Sequence, residues 1–151
     1  MIKRILFAIA GLVAVPAAAE QAAVGLKGDV KVIRVVTENG KTTEKLDEPT
    51  TVVPGDNLLF TTHYTNSSDK PITDFVVTNP LPAAVKLTKP GAFEVSVDGG
   101  KTFGSLASLK VTGADGQPRA AELGDVNVVR WKIAAIPAGS SGDVQYFAQL
   151  R

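Results

Sequence analysis

The chain has 151 residues, enough for one domain, and its 44% hydrophobic and 21% charged content excludes a disordered tail or a fibrous repeat. Lysine and arginine total 16 against 15 acids, and this even balance argues against a nucleic-acid binder. There is no cysteine, which removes disulfides, thiol catalysis and cysteine-ligated metal centres.

Residues 1–4 (MIKR) are cationic, residues 5–15 (ILFAIAGLVAV) are an unbroken apolar run, Pro16 breaks it, and Ala17, Ala18 and Ala19 supply small residues before Glu20. This is the order of a secretory signal peptide over residues 1–19. The run is shorter than the roughly 20 residues a spanning helix needs. Cleavage after Ala19 removes Lys3 and Arg4 and leaves 14 basic residues against 15 acids, a net charge of −1. Without cysteine there is no lipid attachment site of the bacterial lipoprotein kind. The expectation is an exported protein, extracellular, at the cell surface or in the periplasm, with no membrane span after cleavage.

Residues 20–28 (EQAAVGLKG) read as a flexible N-terminal arm before a domain over residues 29–151. Residues 30–37 (VKVIRVVT) are β-branched and read as a strand, followed by Asn39 and Gly40, the strongest short hairpin signal. Residues 50–53 (TTVV) read as a short strand ended by Pro54, Gly55 and Asp56. Residues 57–66 (NLLFTTHYTN) alternate, and Leu58, Phe60, Thr62 and Tyr64 are expected to face the core. Residues 72–78 (ITDFVVT) form the next strand, closed by Asn79, Pro80, Leu81 and Pro82, which suit an edge or a crossing between sheets.

Phe93, Val95 and Val97 then alternate inward, and Asp98, Gly99 and Gly100 turn the chain. Residues 109–112 lead to a second turn at residues 113–116 (GADG). Residues 126–133 (VNVVRWKI) put Val129, Trp131 and Ile133 on one face, and residues 144–150 (VQYFAQL) put Val144, Tyr146, Ala148 and Leu150 on one face. Seven or more short strands with frequent turns predict an all-β fold, an Ig-like antiparallel β-sandwich.

Three stretches carry a family likeness. Residues 53–60 (VPGDNLLF) match a V-x-P-G-D turn into an alternating strand. Thr65 and Asn66, followed by residues 72–82 (ITDFVVTNPLP), match a T-N, strand and D-x-L-P ending, with Asn79 and Pro80 in place of the usual residues. Residues 129–133 (VRWKI) and 136–139 (IPAG) match a W-x-I…L-x-P-G close. From about Lys27 to Arg151 the chain resembles the bacterial Ig-like "conserved repeat" domains, the class called domain of unknown function eleven. That resemblance implies an Ig-like module of the kind used as spacers, stalks and surface parts of exported proteins. Separately, residues 96–103 (SVDGGKTF) resemble the Asp-box hairpin of sialidase-like propellers, which implies a structural turn.

No catalytic residue is expected. His63 sits mid-strand among threonines with no nucleophile elbow, so the protein reads as not an enzyme. No cofactor is expected. Calcium is the one ion that the turn residues Asp56, Asn57, Asp98, Asp115 and Asp125 could serve, although they show no EF-hand spacing. Asn66 with Ser67 and Ser68 fits a glycosylation pattern but reads as a turn.

Function is expected to lie in contacts. Ala22, Ala23, Val24 and Leu26 of the arm, with Val144, Tyr146 and Phe147 of the last strand, are the residues expected to self-associate through sheet edges. The leading expectation is a structural or adhesive module, such as a self-assembling fibre subunit, whose partners are copies of itself or other cell-envelope proteins. The alternative is a soluble periplasmic binding or adaptor domain that recognises a protein or polysaccharide through its loops.

Overall fold

The β-branched run after residue 29 grows into the longest strand. In the computed structural model, which describes residues 23–151, β1 (Val24–Glu38) turns through Asn39 and Gly40 into β2 (Lys41–Asp47). Both turn residues have positive φ, 52° and 77°, as a type I′ hairpin requires. Then come β3 (Asn57–Asn66), β4 (Ile72–Pro80), β5 (Val85–Leu87), β6 (Glu94–Ser96), β7 (Lys110–Thr112), β8 (Pro118–Ala120), β9 (Val128–Ile136) and β10 (Ser141–Leu150).

The strands form an antiparallel five-stranded sheet, β2-β1-β3-β10-β5, a three-stranded sheet, β4-β9-β6, and the small hairpin β7-β8. The fold is an all-β sandwich. Its core holds Leu58, Val129, Trp131 and Tyr146, with Phe60 and Phe93 packed against them. Phe60 and Tyr146 stack as cross-strand neighbours, 4.8 Å between ring centres, and Trp131 of the facing sheet lies 6.3 Å from Tyr146. This aromatic contact holds the two sheets together.

Four expectations are corrected in whole or in part. The arm of residues 20–28 is not an arm from Val24 onward: Val24 to Gly28 pair with Asn66 to Thr62 as the first half of β1. Gly25 and Gly28 disguised this stretch as linker, yet the ladder uses only backbone. Residues 50–53 form no strand. The hairpin's return arm is β2 instead, whose side chains are almost all exposed, so it has no apolar periodicity to reveal it. β4 runs on past Thr78 to include Asn79 and Pro80, and of the two placements expected for them it is the edge that holds, since β4 is an outer strand of its sheet. The last strand is an edge over only part of its length: β5 pairs with Ala148, Gln149 and Leu150, whereas Ser141 to Tyr146 pair with β3 alone among the described strands.

Candidate functional site

The two sheets differ in width, and the difference opens a groove. Asn79 of β4 donates from Nδ2 to Thr62 Oγ1 of β3 at 2.6 Å, which sets β4 opposite β3. The Trp131 and Tyr146 rings set β9 opposite β10. The inner face of β1 therefore extends past β4 with no strand across from it. Farther along β1, the loop after β2 folds over: Arg34 donates to the Thr51 carbonyl at 3.0 Å and to Asp56 at 2.9 Å. Between that loop and the buried Val24, the inner face from Leu26 to Val30 stays open.

The resulting cavity is about 620 Å³. Leu26, Val30, Phe60 and Tyr146 form its floor, and Asn79, Pro80 and Pro82 form the wall on the β4 side. Leu26 is 54% exposed, the mark of an inward-facing leucine with nothing above it. Asp29 and Glu48 border the cavity, but Asp29 alternates with the inward Gly28 and Val30 and is paired with Thr61, which puts its side chain on the outer face of the sheet. Lys31 contacts Glu48 and lies 3.9 Å from Asp29, so one cation serves two carboxylates.

The groove borders a strand edge. Leu81 donates its backbone N–H to the Asn127 carbonyl at 2.8 Å, toward the β9 side. Alternation along the strand then turns the backbone groups of Thr78 and Val76 to the open side. Pro80 brings no N–H to that edge. From Phe75 to Thr78 the strand carries no charge, and Val76 is 38% exposed. Another outer strand, β2, is guarded by Lys41, Glu44, Lys45 and Asp47.

The self-association residues separate. Ala22 lies outside the described residues. The Val24 and Tyr146 side chains are buried, and Ala23 and Val144 are partly buried against the core. Burial of the Tyr146 hydroxyl pushes its pKa up to about 12. Phe147 lies on the outer face of the large sheet with the Lys89 ammonium 4.3 Å over its ring. Leu26 and Tyr146 both line the groove, and of the two only Leu26 is exposed.

His63 pairs across strands with Asp143, Nδ1 to Oδ1 at 2.5 Å, on the outer face. The nearby Ser141 hydroxyl bonds with Thr65, 3.0 Å away. The turn acids are committed locally. Asp56 accepts from Arg34 and the Val53 N–H, Asp115 from the Gln117 N–H, and Asp125 from Arg119 and the Glu122 N–H. Asp98 accepts from the N–H groups of Thr102 and Lys101 and from the Ser96 hydroxyl, and these bonds, the Thr102 N–H foremost, hold its pKa at about 2. Among the described residues no three potential metal ligands converge.

One polar residue that matters was read only as a turn. Asn66 is fully buried, and its Nδ2 donates to the carbonyls of Lys70, Ile136 and Pro137 at 2.8, 3.1 and 3.1 Å. Its Oδ1 accepts from the backbone and hydroxyl of Ser68. Its place in the T-N pair at a strand end was the available signal.

No family model, no curated protein and no solved structure matches the chain. What the fold defines is the class: an all-β sandwich with one sheet wider than the other.

Proposed function

We propose that this chain is an exported, non-enzymatic, Ig-like structural or adhesive module that joins a cell-envelope assembly by accepting a strand. The observation that supports this reading is the groove beside β4: an apolar floor, a strand edge without charge from Phe75 to Pro80 and a solvent-exposed Leu26 with nothing packed over it. An edge of this kind pairs with an extended segment through backbone hydrogen bonds, while pockets for alternate side chains give selectivity. The reading of residues 1–19 as a signal peptide and the likeness to bacterial Ig-like repeats supply the compartment.

The test is fractionation of the cells that make the protein. Wild-type protein is expected in a high-mass envelope fraction, with an intact mass that begins at Glu20. Leu26→Glu, which charges an exposed position, is expected to leave the protein folded and release it as a monomer. Wild-type protein found only as a free monomer would overturn the reading.

A further inference from the structure

One polar group in the groove has no partner in the fold. Tyr146 is 3% exposed, and among the described residues its hydroxyl makes no hydrogen bond. No side-chain oxygen or nitrogen of the described residues is both sealed from solvent and unpaired, so this hydroxyl reaches open space. That space is the groove, which Tyr146 lines. The residue is rooted on β10, two strands from β1, or roughly 10 Å at the spacing of neighbouring strands. The part of it that meets a cavity floored by Leu26 and Val30 is therefore the far end of the ring. Phe60 covers one face of that ring and Trp131 lies 6.3 Å away, and neither offers the hydroxyl an acceptor. With its pKa pushed up to about 12, the phenol keeps its proton at neutral pH and can donate.

Asn79 brings the complementary atom. Its Nδ2 is committed to Thr62 Oγ1 at 2.6 Å, which leaves Oδ1, an acceptor, with no hydrogen bond among the described residues. Asn79 lines the same cavity. Neither group is charged. Glu48 at the rim is held by Lys31, and the Asp29 side chain is on the outer face, so the groove has no free counter-charge. A neutral donor and a neutral acceptor lining one cavity match a primary carboxamide, which carries an acceptor oxygen and two N–H donors. An alkyl group in the same place leaves both unpaired, and a carboxylate or an ammonium loses water without gaining an opposite charge.

We infer that the groove takes an extended segment of a partner protein that places a glutamine or asparagine side chain between Tyr146 and Asn79. The inference rests on the strand-acceptor reading above and names the side chain that enters. The carboxamide oxygen accepts from Tyr146 Oη, and its N–H donates to Asn79 Oδ1. Apolar side chains two residues to either side lie over Leu26 and Val30, and the segment's backbone meets the open groups of Val76 and Thr78.

The probes are fluorescent seven-residue peptides with threonine at the odd positions, valine at the second and sixth, and glutamine, asparagine, leucine, glutamate or lysine at the fourth. Fluorescence anisotropy with the mature protein, residues 20–151, is expected to show the better carboxamide peptide binding about fivefold tighter than the leucine peptide, with the charged peptides weaker than both. Tyr146→Phe keeps the ring and removes only the hydroxyl. It is expected to keep the near-ultraviolet dichroism of Trp131 and to bind the carboxamide and leucine peptides equally. Leu26→Glu is expected to abolish binding of all of them. A leucine or charged peptide that binds wild-type protein as tightly as the carboxamide peptides would overturn the inference, and so would a carboxamide preference that survives Tyr146→Phe. Concentration-dependent dimers in sedimentation that disappear in Leu26→Glu would make a second copy the occupant and overturn the partner assignment. Binding of no peptide, in a protein that still leaves the envelope fraction on Leu26→Glu, would overturn this inference and keep the module reading.

Discussion

Asn66 Nδ2 donates to the Ile136 carbonyl at 3.1 Å, which joins the last residue of β3 in one sheet to the last residue of β9 in the other. The same amide reaches Lys70 and Pro137, so a single buried side chain closes the end of the sandwich where β4 begins. Replacing it by alanine leaves three carbonyls and a Ser68 N–H without this partner. Buried groups stripped of a partner cost about 1–3 kcal/mol each where water cannot reach them. With part of these groups near the surface, Asn66→Ala is expected to lower stability by about 2–4 kcal/mol, read from urea unfolding. A loss under about 0.5 kcal/mol would show that the end closes without it.

Asp98 gives the fold an acid limit. Its carboxylate accepts two backbone N–H groups and the Ser96 hydroxyl, which holds the folded pKa at about 2 against an ordinary value of 3.8. A lowered folded pKa means that the stabilisation is complete above the unfolded pKa and fades as pH falls through the folded one. Stability is therefore expected to fall between pH 4 and pH 2. Asp98→Asn is expected to be less stable at pH 7 and to show a shallower decline over that window, as measured by urea midpoints across pH.

Tyr146 sets an alkaline limit by the opposite route. Burial disfavours its phenolate and raises the folded pKa from 10.0 to about 12. Its stacking on Phe60 and contact with Trp131 depend on that burial. A raised folded pKa gives stability that is present below pH 10 and lost as pH rises toward 12. In a spectrophotometric titration of the two tyrosines, Tyr146 is expected to ionise together with unfolding, so the second half of the phenolate signal coincides with loss of Trp131 near-ultraviolet dichroism. A reversible phenolate step before that loss would contradict the burial argument.

The core was legible because alternation is a direct record of burial. Leu58, Val95, Val129, Trp131, Tyr146 and Ala148 were placed inward from period-two patterns, and all six are buried in the structure. The β4 edge was marked by its prolines, but two other edge stretches were not legible, because neither shows such a pattern. β2 carries no apolar alternation, and the first half of β1 reads as a glycine-containing arm. The groove was hidden for a related reason. Leu26 and Pro80 are 54 positions apart in the chain, and only the unequal width of two sheets brings them to one cavity. Leu26 was singled out as an apolar residue, but for a flexible tail rather than for the floor of a slot.

The outer-face pair His63 and Asp143 is expected to matter little. Its side chains are 44% and 50% exposed, and exposed pairs contribute about 0–1 kcal/mol. His63→Ala is expected to change stability by less than about 1 kcal/mol at pH 7. A large loss of a measured hydrolase activity in this variant would overturn the non-enzymatic reading.

Truncation gives the clearest separation between arm and strand. A chain that starts at Asp29 loses the pairs from Val24 with Asn66 to Gly28 with Thr62, and it loses the buried Val24 side chain. Burying one valine is worth about 1.5–3 kcal/mol, and each lost ladder bond adds about 0.5–1.5 kcal/mol. A free tail would cost nothing, whereas this strand half is expected to cost at least about 3 kcal/mol relative to a chain that starts at Glu20. It also uncovers the edge of β3, so the truncated protein is expected to aggregate on warming. Differential scanning calorimetry of the two chains decides the matter: equal melting temperatures would return residues 24–28 to the status of an arm.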